Sequence, residues 1–131
     1  MTRFLLVAAG GALGASARYA LGLAATRLAP NAGWPWGTFA ANVAGGLAIG
    51  LLAGWLALKA GASTEAIRLF AAVGVLGGFT TFSAFSLETA LMIERRQLGL
   101  AFAYAVLSVV LSVAALFAGL TIARRLVGAP L

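Results

Sequence analysis

Apolar residues run through this chain in four stretches, Phe4 to Thr26, Trp34 to Leu58, Leu69 to Leu87 and Leu98 to Ala123, with most of the charge collected between them. Only Arg18 interrupts the first stretch. Each is long enough to cross roughly 30 Å of hydrocarbon as a helix, which takes about 20 residues. The pattern predicts an all-α integral membrane protein with four transmembrane helices near 4–27, 35–58, 67–93 and 98–125, in a single transmembrane domain over 1–131. The connections, Arg27 to Gly33, Lys59 to Arg68 and Glu94 to Gln97, are too short to hold a soluble domain. Function must therefore sit within the bilayer or at its faces.

Inside the stretches, small and polar residues recur at helical spacing. Gly10, Gly14 and Arg18 follow at steps of four, so the arginine shares a face with a small-residue stripe suited to close helix packing. Arg18 falls near the far end of its helix, where it either snorkels to the interface or holds a positive potential that draws anions to a vestibule. Trp34-Pro35-Trp36 reads as an interfacial anchor at a helix start. Thr38 and Asn42 come next, four apart, and an asparagine that deep must find partners, either as glue between helices or as a donor to something passing. Gly46, Gly50 and Gly54 form a second small-residue ridge.

The third stretch departs from plain helix. It reads Gly77-Gly78-Phe79-Thr80-Thr81-Phe82-Ser83-Ala84-Phe85-Ser86-Leu87-Glu88, and paired glycines followed by paired threonines have poor helix propensity. A break is expected at Gly77 to Ser83, tolerated in a bilayer only where protein or a cavity serves the freed backbone groups. Freed carbonyls suit a cation, and freed N–H groups at a helix start suit an anion. Phe79, Phe82 and Phe85 recur every third residue, either as ordinary packing or with positive ring edges turned to an anion. Glu88 is a proton-coupled carboxylate or a structural acceptor of hydroxyls. In the last stretch Tyr104, Ser108 and Ser112 line up at steps of four; each hydroxyl either bonds the carbonyl one turn back or joins a polar wall.

Composition narrows the choices. The 131 residues are 63% hydrophobic and only 9% charged, against about a quarter charged in soluble domains. With neither cysteine nor histidine, and carboxylates only at Glu65, Glu88 and Glu94, no nucleophile and base pair and no ordinary zinc site can form. The net charge of +6 is spread singly or in pairs over the connections, which fits headgroup contact better than nucleic acid. The first stretch outruns the 7–15 residues of a typical signal-peptide core and is expected to remain as a helix.

Charge also bears on orientation. The face with both termini and the second connection carries Arg3, Lys59, Arg68, Arg124 and Arg125, while the other carries Arg27, Arg95 and Arg96, joined by Arg18 if it snorkels outward. Five against four is a weak positive-inside bias. It allows a single orientation with cytoplasmic termini, and equally insertion both ways up with pairing as an antiparallel dimer. Asn42, the hydroxyls of Thr38, Thr80, Thr81, Ser83, Ser108 and Ser112, and the phenyl edges form a set of weak, neutral donors. Such a set favours passage of a small, strongly hydrated anion over a metal cation.

Three motifs carry a resemblance that covers essentially the whole chain: Gly10-Gly11-Ala12-Leu13-Gly14-Ala15-Ser16-Ala17-Arg18-Tyr19, Trp36-Gly37-Thr38-Phe39-Ala40-Ala41-Asn42 with Gly45-Gly46, and Gly77 through Glu88. In these the sequence resembles the CrcB/Fluc family of fluoride channels. The resemblance implies an antiparallel, dual-topology homodimer in the bacterial cytoplasmic (inner) membrane, passively exporting fluoride with high selectivity through two pores, without nucleic acid or organic cofactor. It implies Asn42 as a hydrogen-bond donor to fluoride, Phe82 and Phe85 as rings facing the ions, and Thr38, Thr81, Ser83, Tyr104, Ser108 and Ser112 as further polar pore positions. Arg18 corresponds to a vestibule residue and Glu88 to a structural carboxylate. The backbone carbonyls of Gly77 and Thr80 correspond to ligands of a structural Na⁺ at the dimer interface. Ala84, where many relatives have threonine or serine, and Phe39, in place of a frequent leucine, depart from the pattern; the first is expected to alter rate or hydration. The rivals are a dual-topology multidrug transporter that uses Glu88 as its proton-coupled site, and a non-conducting packing module of a larger complex.

Overall fold

A computed structural model describes residues 1–59 and 62–126, and every regular element among them is helical. α1 (Thr2–Leu28) and α2 (Trp36–Leu56) are single helices. The third segment begins as α3 (Ala62–Ile67), widens into a π-helical stretch (Arg68–Leu76), tightens again as α4 (Gly77–Phe79) and continues after two residues as α5 (Phe82–Glu94). α6 (Leu98–Leu126) completes the chain. Four helical segments, Thr2–Leu28, Trp36–Leu56, Thr64–Glu94 and Leu98–Leu126, are long and apolar enough to cross a membrane, as a multi-pass membrane protein requires. Helix already begins at Ala62, so the second connection is shorter than the polar run from Lys59 to Arg68 suggests. There Glu65 accepts from Arg68 at 2.9 Å, one turn apart, and each charge offsets the other.

Glycine ridges decide which helices pair. Along α2, Gly46, Gly50 and Gly54 lie against the α6 backbone at Ser112, Leu116 and Leu120, and Gly119 of α6 answers against Leu47 and Leu51. A Cβ on Gly46 would stand 2.5 Å from the Ser112 carbonyl oxygen, so the two backbones touch where any larger residue would hold them apart. The stripe on α1 does the same against the third segment. Gly10 meets Gly74, Gly14 meets Val75 and Phe79, and Gly78 meets Gly11 and Ala15. The bundle is thus two close pairs, α2 with α6 and α1 with the π-helical stretch.

Local chemistry sets the helix ends. Thr81 caps α5 through its hydroxyl, which accepts the Ala84 N–H at 3.2 Å. At the other end Gln97 N–H donates to Met92 C=O and Arg96 N–H to Ile93 C=O, both at 2.9 Å, a Schellman closure that needs the left-handed φ of 61° at Arg96. Large apolar side chains such as Phe4, Phe102 and Phe117 remain exposed, as they would on a lipid-facing surface. The interior is small, centred on the fully buried Tyr104 with Met92 and Ala101.

Candidate functional site

The two residues between α4 and α5 are extended, with φ and ψ of −80° and 156° at Thr80 and −152° and 126° at Thr81. They lie within the Gly77 to Ser83 segment, where the paired glycines and threonines weaken the helix. Asn42 of α2 holds this pair. Its Nδ2 donates to the Thr81 carbonyl at 3.0 Å and its Oδ1 accepts the Thr81 N–H at 2.8 Å, a reciprocal amide-to-backbone clamp. Asn42 therefore joins helices; one of its two Nδ2 hydrogens makes the bond to Thr81, and the group has a second to give.

The clamp changes which backbone groups are served. In an unbroken helix the Thr81 N–H would close on Gly77 C=O, and the Ala84 N–H on Thr80 C=O. Here the first goes to Asn42 and the second to the Thr81 hydroxyl. Gly77 and Thr80 thus lose their helical donors. The Leu76 carbonyl, by contrast, receives both the N–H of Thr80, at 3.0 Å, and its hydroxyl, at 2.9 Å. The Gly78 carbonyl accepts Nε of Arg18 at 3.2 Å, so Arg18 reaches across from α1 to the end of α4.

A second polar cluster surrounds Glu88. Thr38 donates to Oε1 at 2.7 Å and Tyr104 donates to Oε2 at 2.6 Å, so one carboxylate ties α2, α5 and α6 together. The Tyr104 ring lies 5.3 Å from Phe85 and 5.3 Å from Trp34, and Phe85 lies 5.5 Å from Phe82. A continuous aromatic row runs from Phe82, 78% exposed, to Trp34. Trp34 is more than an interfacial anchor: it packs inward on Phe39 and Tyr104, with its Nε1 buried. The Phe79 ring packs beside Gly45, where an added Cβ would stand 3.5 Å from its Cδ1.

An open groove of about 420 Å³ gathers much of this chemistry. Asn42, Gly77, Thr80, Thr81, Phe82, Phe85, Ser108 and Ser112 all line it. Neither Ser108 nor Ser112 bonds the carbonyl one turn back; the hydroxyls of both are buried without a partner. Thr38 and Glu88 instead line a smaller cavity of about 180 Å³ with Gly22, Thr26 and Trp36. Ser83 is exposed with its hydroxyl 3.3 Å from that of Thr81, and Arg18 stands on α1, apart from the groove. Among the described residues no group of three or more His, Cys, Asp or Glu comes together. The Asn42–Thr81 clamp, the contact of Arg18 with Gly78 and the inward packing of Trp34 went unseen in the sequence, since each depends on the register between separate helices.

Comparison with known proteins bears on this geometry. Residues 5–120 match the family described as CrcB-like protein, Camphor Resistance (CrcB). A protein of Caulobacter sp. (strain K31) named fluoride-specific ion channel FluC is 64% identical over 126 residues, covering 96% of this chain and 98% of the relative. One of Phenylobacterium zucineum (strain HLK1) with the same name is 65% identical over 126 residues, covering 95% and 98%. Another of that name, from Agrobacterium fabrum, is 50% identical over 127 residues, covering 96% and 99%.

Proposed function

The chain belongs to the CrcB family, and from that premise we propose that it is a passive, selective fluoride channel exporting fluoride across the bacterial cytoplasmic membrane. The observation that carries the reading is the groove in which Asn42, Thr81, Ser108 and Ser112 meet the rings of Phe82 and Phe85. Two buried hydroxyls without protein partners are donors still to be used, and the Asn42 amide has a second hydrogen to give. Fluoride is small and strongly hydrated, so neutral donors must replace its water without forming a well it cannot leave. The site is no enzyme; it offers a path and no reacting group.

The groove is open along one side, and a second copy inserted upside down would close it. In that reading two antiparallel protomers enclose two pores, the extended pair Thr80–Thr81 is the break in the third span, and Phe82, so exposed in one protomer, faces ions in the pair. The carbonyls of Gly77 and Thr80 would hold a structural Na⁺ at the centre. Both residues line the groove, and the redirected N–H groups free both oxygens from helical bonding, as a hard cation needs. Bound there, the ion would supply charge and tie the protomers together. Thr38, Glu88 and Tyr104 brace the pore wall, with Tyr104 sharing its ring contact with Phe85. The drug-transporter alternative needs Glu88 in a large aromatic chamber, and Glu88 instead accepts from two hydroxyls beside a cavity of about 180 Å³.

The test is fluoride release from liposomes, with a potassium gradient and valinomycin to carry the counter-current. Release of fluoride with negligible chloride movement is the expected result. Folded protein that releases no fluoride above empty liposomes would overturn the reading.

A further inference from the structure

We propose that Arg18 is a positioning residue for the third-segment break, holding the carbonyl of Gly78 that the extended pair deprives of its helical donor. In an unbroken helix Gly78 C=O would accept the N–H of Phe82. Thr80 and Thr81 carry the chain away in extended conformation, and Phe82 starts a new helix beyond them. A carbonyl left bare in a bilayer is costly, and the bilayer offers no water to serve it. Arg18 Nε supplies the bond at 3.2 Å from 60 residues away in sequence.

The rest of α1 is built to bring the guanidinium there. Gly10, Gly14 and Arg18 share one face, and the two glycines seat α1 directly on the backbone at Gly74, Val75 and Phe79. Gly78 itself leaves no space for a side chain, because a Cβ would come 2.6 Å from Gly11 O and 3.1 Å from Ala15 N. With both backbones in contact, Arg18 meets the carbonyl by the length of its own side chain. Nε is the donor nearest the stem of the guanidinium, so the bond fixes the plane of the group as well as its charge.

The consequence reaches the neighbouring peptide. Gly77 C=O, which also loses its helical donor, lies one peptide before the oxygen that Arg18 holds. Asn42 fixes the far side of the break at Thr81, and Arg18 fixes the near side at Gly78. The clamp stands on this geometry alone; its effect on conduction rests on the fluoride-channel reading. An arginine that merely projected positive charge into a vestibule would be replaceable by lysine, and its influence would be screened by salt within about 10 Å at 0.1 M. A clamp through Nε is neither.

The experiment compares the parent with Arg18→Lys and Arg18→Gln as reconstituted full-length protein. Hydrogen–deuterium exchange over residues 76–85, which include the N–H groups of Thr80, Thr81 and Ala84, should speed up in both variants and stay unchanged in α6 peptides. Maximal fluoride efflux should fall roughly tenfold in both, the ratio expected for loss of a charge-assisted hydrogen bond, at low and high ionic strength alike. Parent-like exchange and efflux in Arg18→Lys would overturn the proposal, since charge alone would then suffice. If both variants fail to fold, ¹⁵Nε arginine NMR of the parent decides: a slowly exchanging Arg18 Nε–H coupled to the Gly78 carbonyl carbon is expected, and rapid exchange at that N–H would refute the clamp. A parent that conducts no fluoride yet shows the protected Nε–H would sink the channel reading and leave the clamp standing.

Discussion

Replacing Asn42 with alanine separates two jobs that one side chain performs. Asn42→Ala leaves the Thr81 N–H without its acceptor at 2.8 Å and removes the donor at 3.0 Å from the Thr81 carbonyl. An N–H left unsatisfied away from water costs about 1–3 kcal/mol, and loss of the second bond adds about 1 kcal/mol; these bonds are half-buried, so the folded state should weaken by up to about 2–4 kcal/mol in all. The comparison is Ser108→Ala, which deletes a buried hydroxyl that has no protein partner and should leave stability unchanged or slightly raised. Stability is read by reversible unfolding in mixed micelles and conduction by fluoride efflux. Both variants should slow efflux, and only Asn42→Ala should unfold early. Equal stability of the parent and Asn42→Ala would refute the clamp, and equal destabilisation by Ser108→Ala would show that its hydroxyl is engaged within the folded chain.

Other substitutions test neighbouring parts of the structure. Tyr104→Phe and Thr38→Val each strip one donor from the Glu88 carboxylate, at a cost of about 1–3 kcal/mol, and the double variant should cost less than the sum because both act on one group; a double-mutant cycle measures the difference. Gly50→Val pushes a side chain into the Leu116 backbone and should destabilise the α2–α6 pair by about 1–3 kcal/mol or prevent folding. Gly99→Ala meets nothing within 4 Å in α6 and should be neutral or gain up to about 1 kcal/mol in the same unfolding assay. Arg96→Gly relieves a left-handed φ of 61° and should stabilise by about 1 kcal/mol, provided removal of the charge does not disturb insertion; protease mapping of topology checks that condition.

The helices were legible because a bilayer permits few alternatives: a backbone with no water around it must bond to itself over about 20 residues. Gly46, Gly50 and Gly54 announced a contact by their spacing, and the structure supplies its other side in Ser112, Leu116 and Leu120. Thr80 and Thr81, extended in the structure, lie in a segment whose composition already disfavours helix. The π-helical stretch from Arg68 to Leu76 left no such mark. Its residues are ordinary for a membrane helix, and α1 packs against it through Gly10 and Gly14. Glu88 showed its two possible roles in the sequence, and the structure gives it hydroxyl partners on two other helices.

Polar satisfaction around Thr80 and Thr81 explains why these scattered residues belong to one design. The extended pair Thr80 and Thr81 between α4 and α5 strands several N–H and C=O groups, and each must find a partner or serve a ligand. Local side chains handle what lies within their reach: the Thr80 hydroxyl returns to Leu76 and the Thr81 hydroxyl caps Ala84. Groups out of reach take partners from other helices, Thr81 from Asn42 and Gly78 from Arg18. Without those residues the Thr81 N–H and the Gly78 carbonyl would be left unserved, and the extended pair would lose the contacts that hold it in place. The distant Asn42 and Arg18 therefore complete what the side chains of Thr80 and Thr81 cannot reach. They hold the extended pair between α4 and α5 from either side, and a substitution that frees Thr81 or Gly78 should loosen these residues and speed exchange of the N–H groups around them.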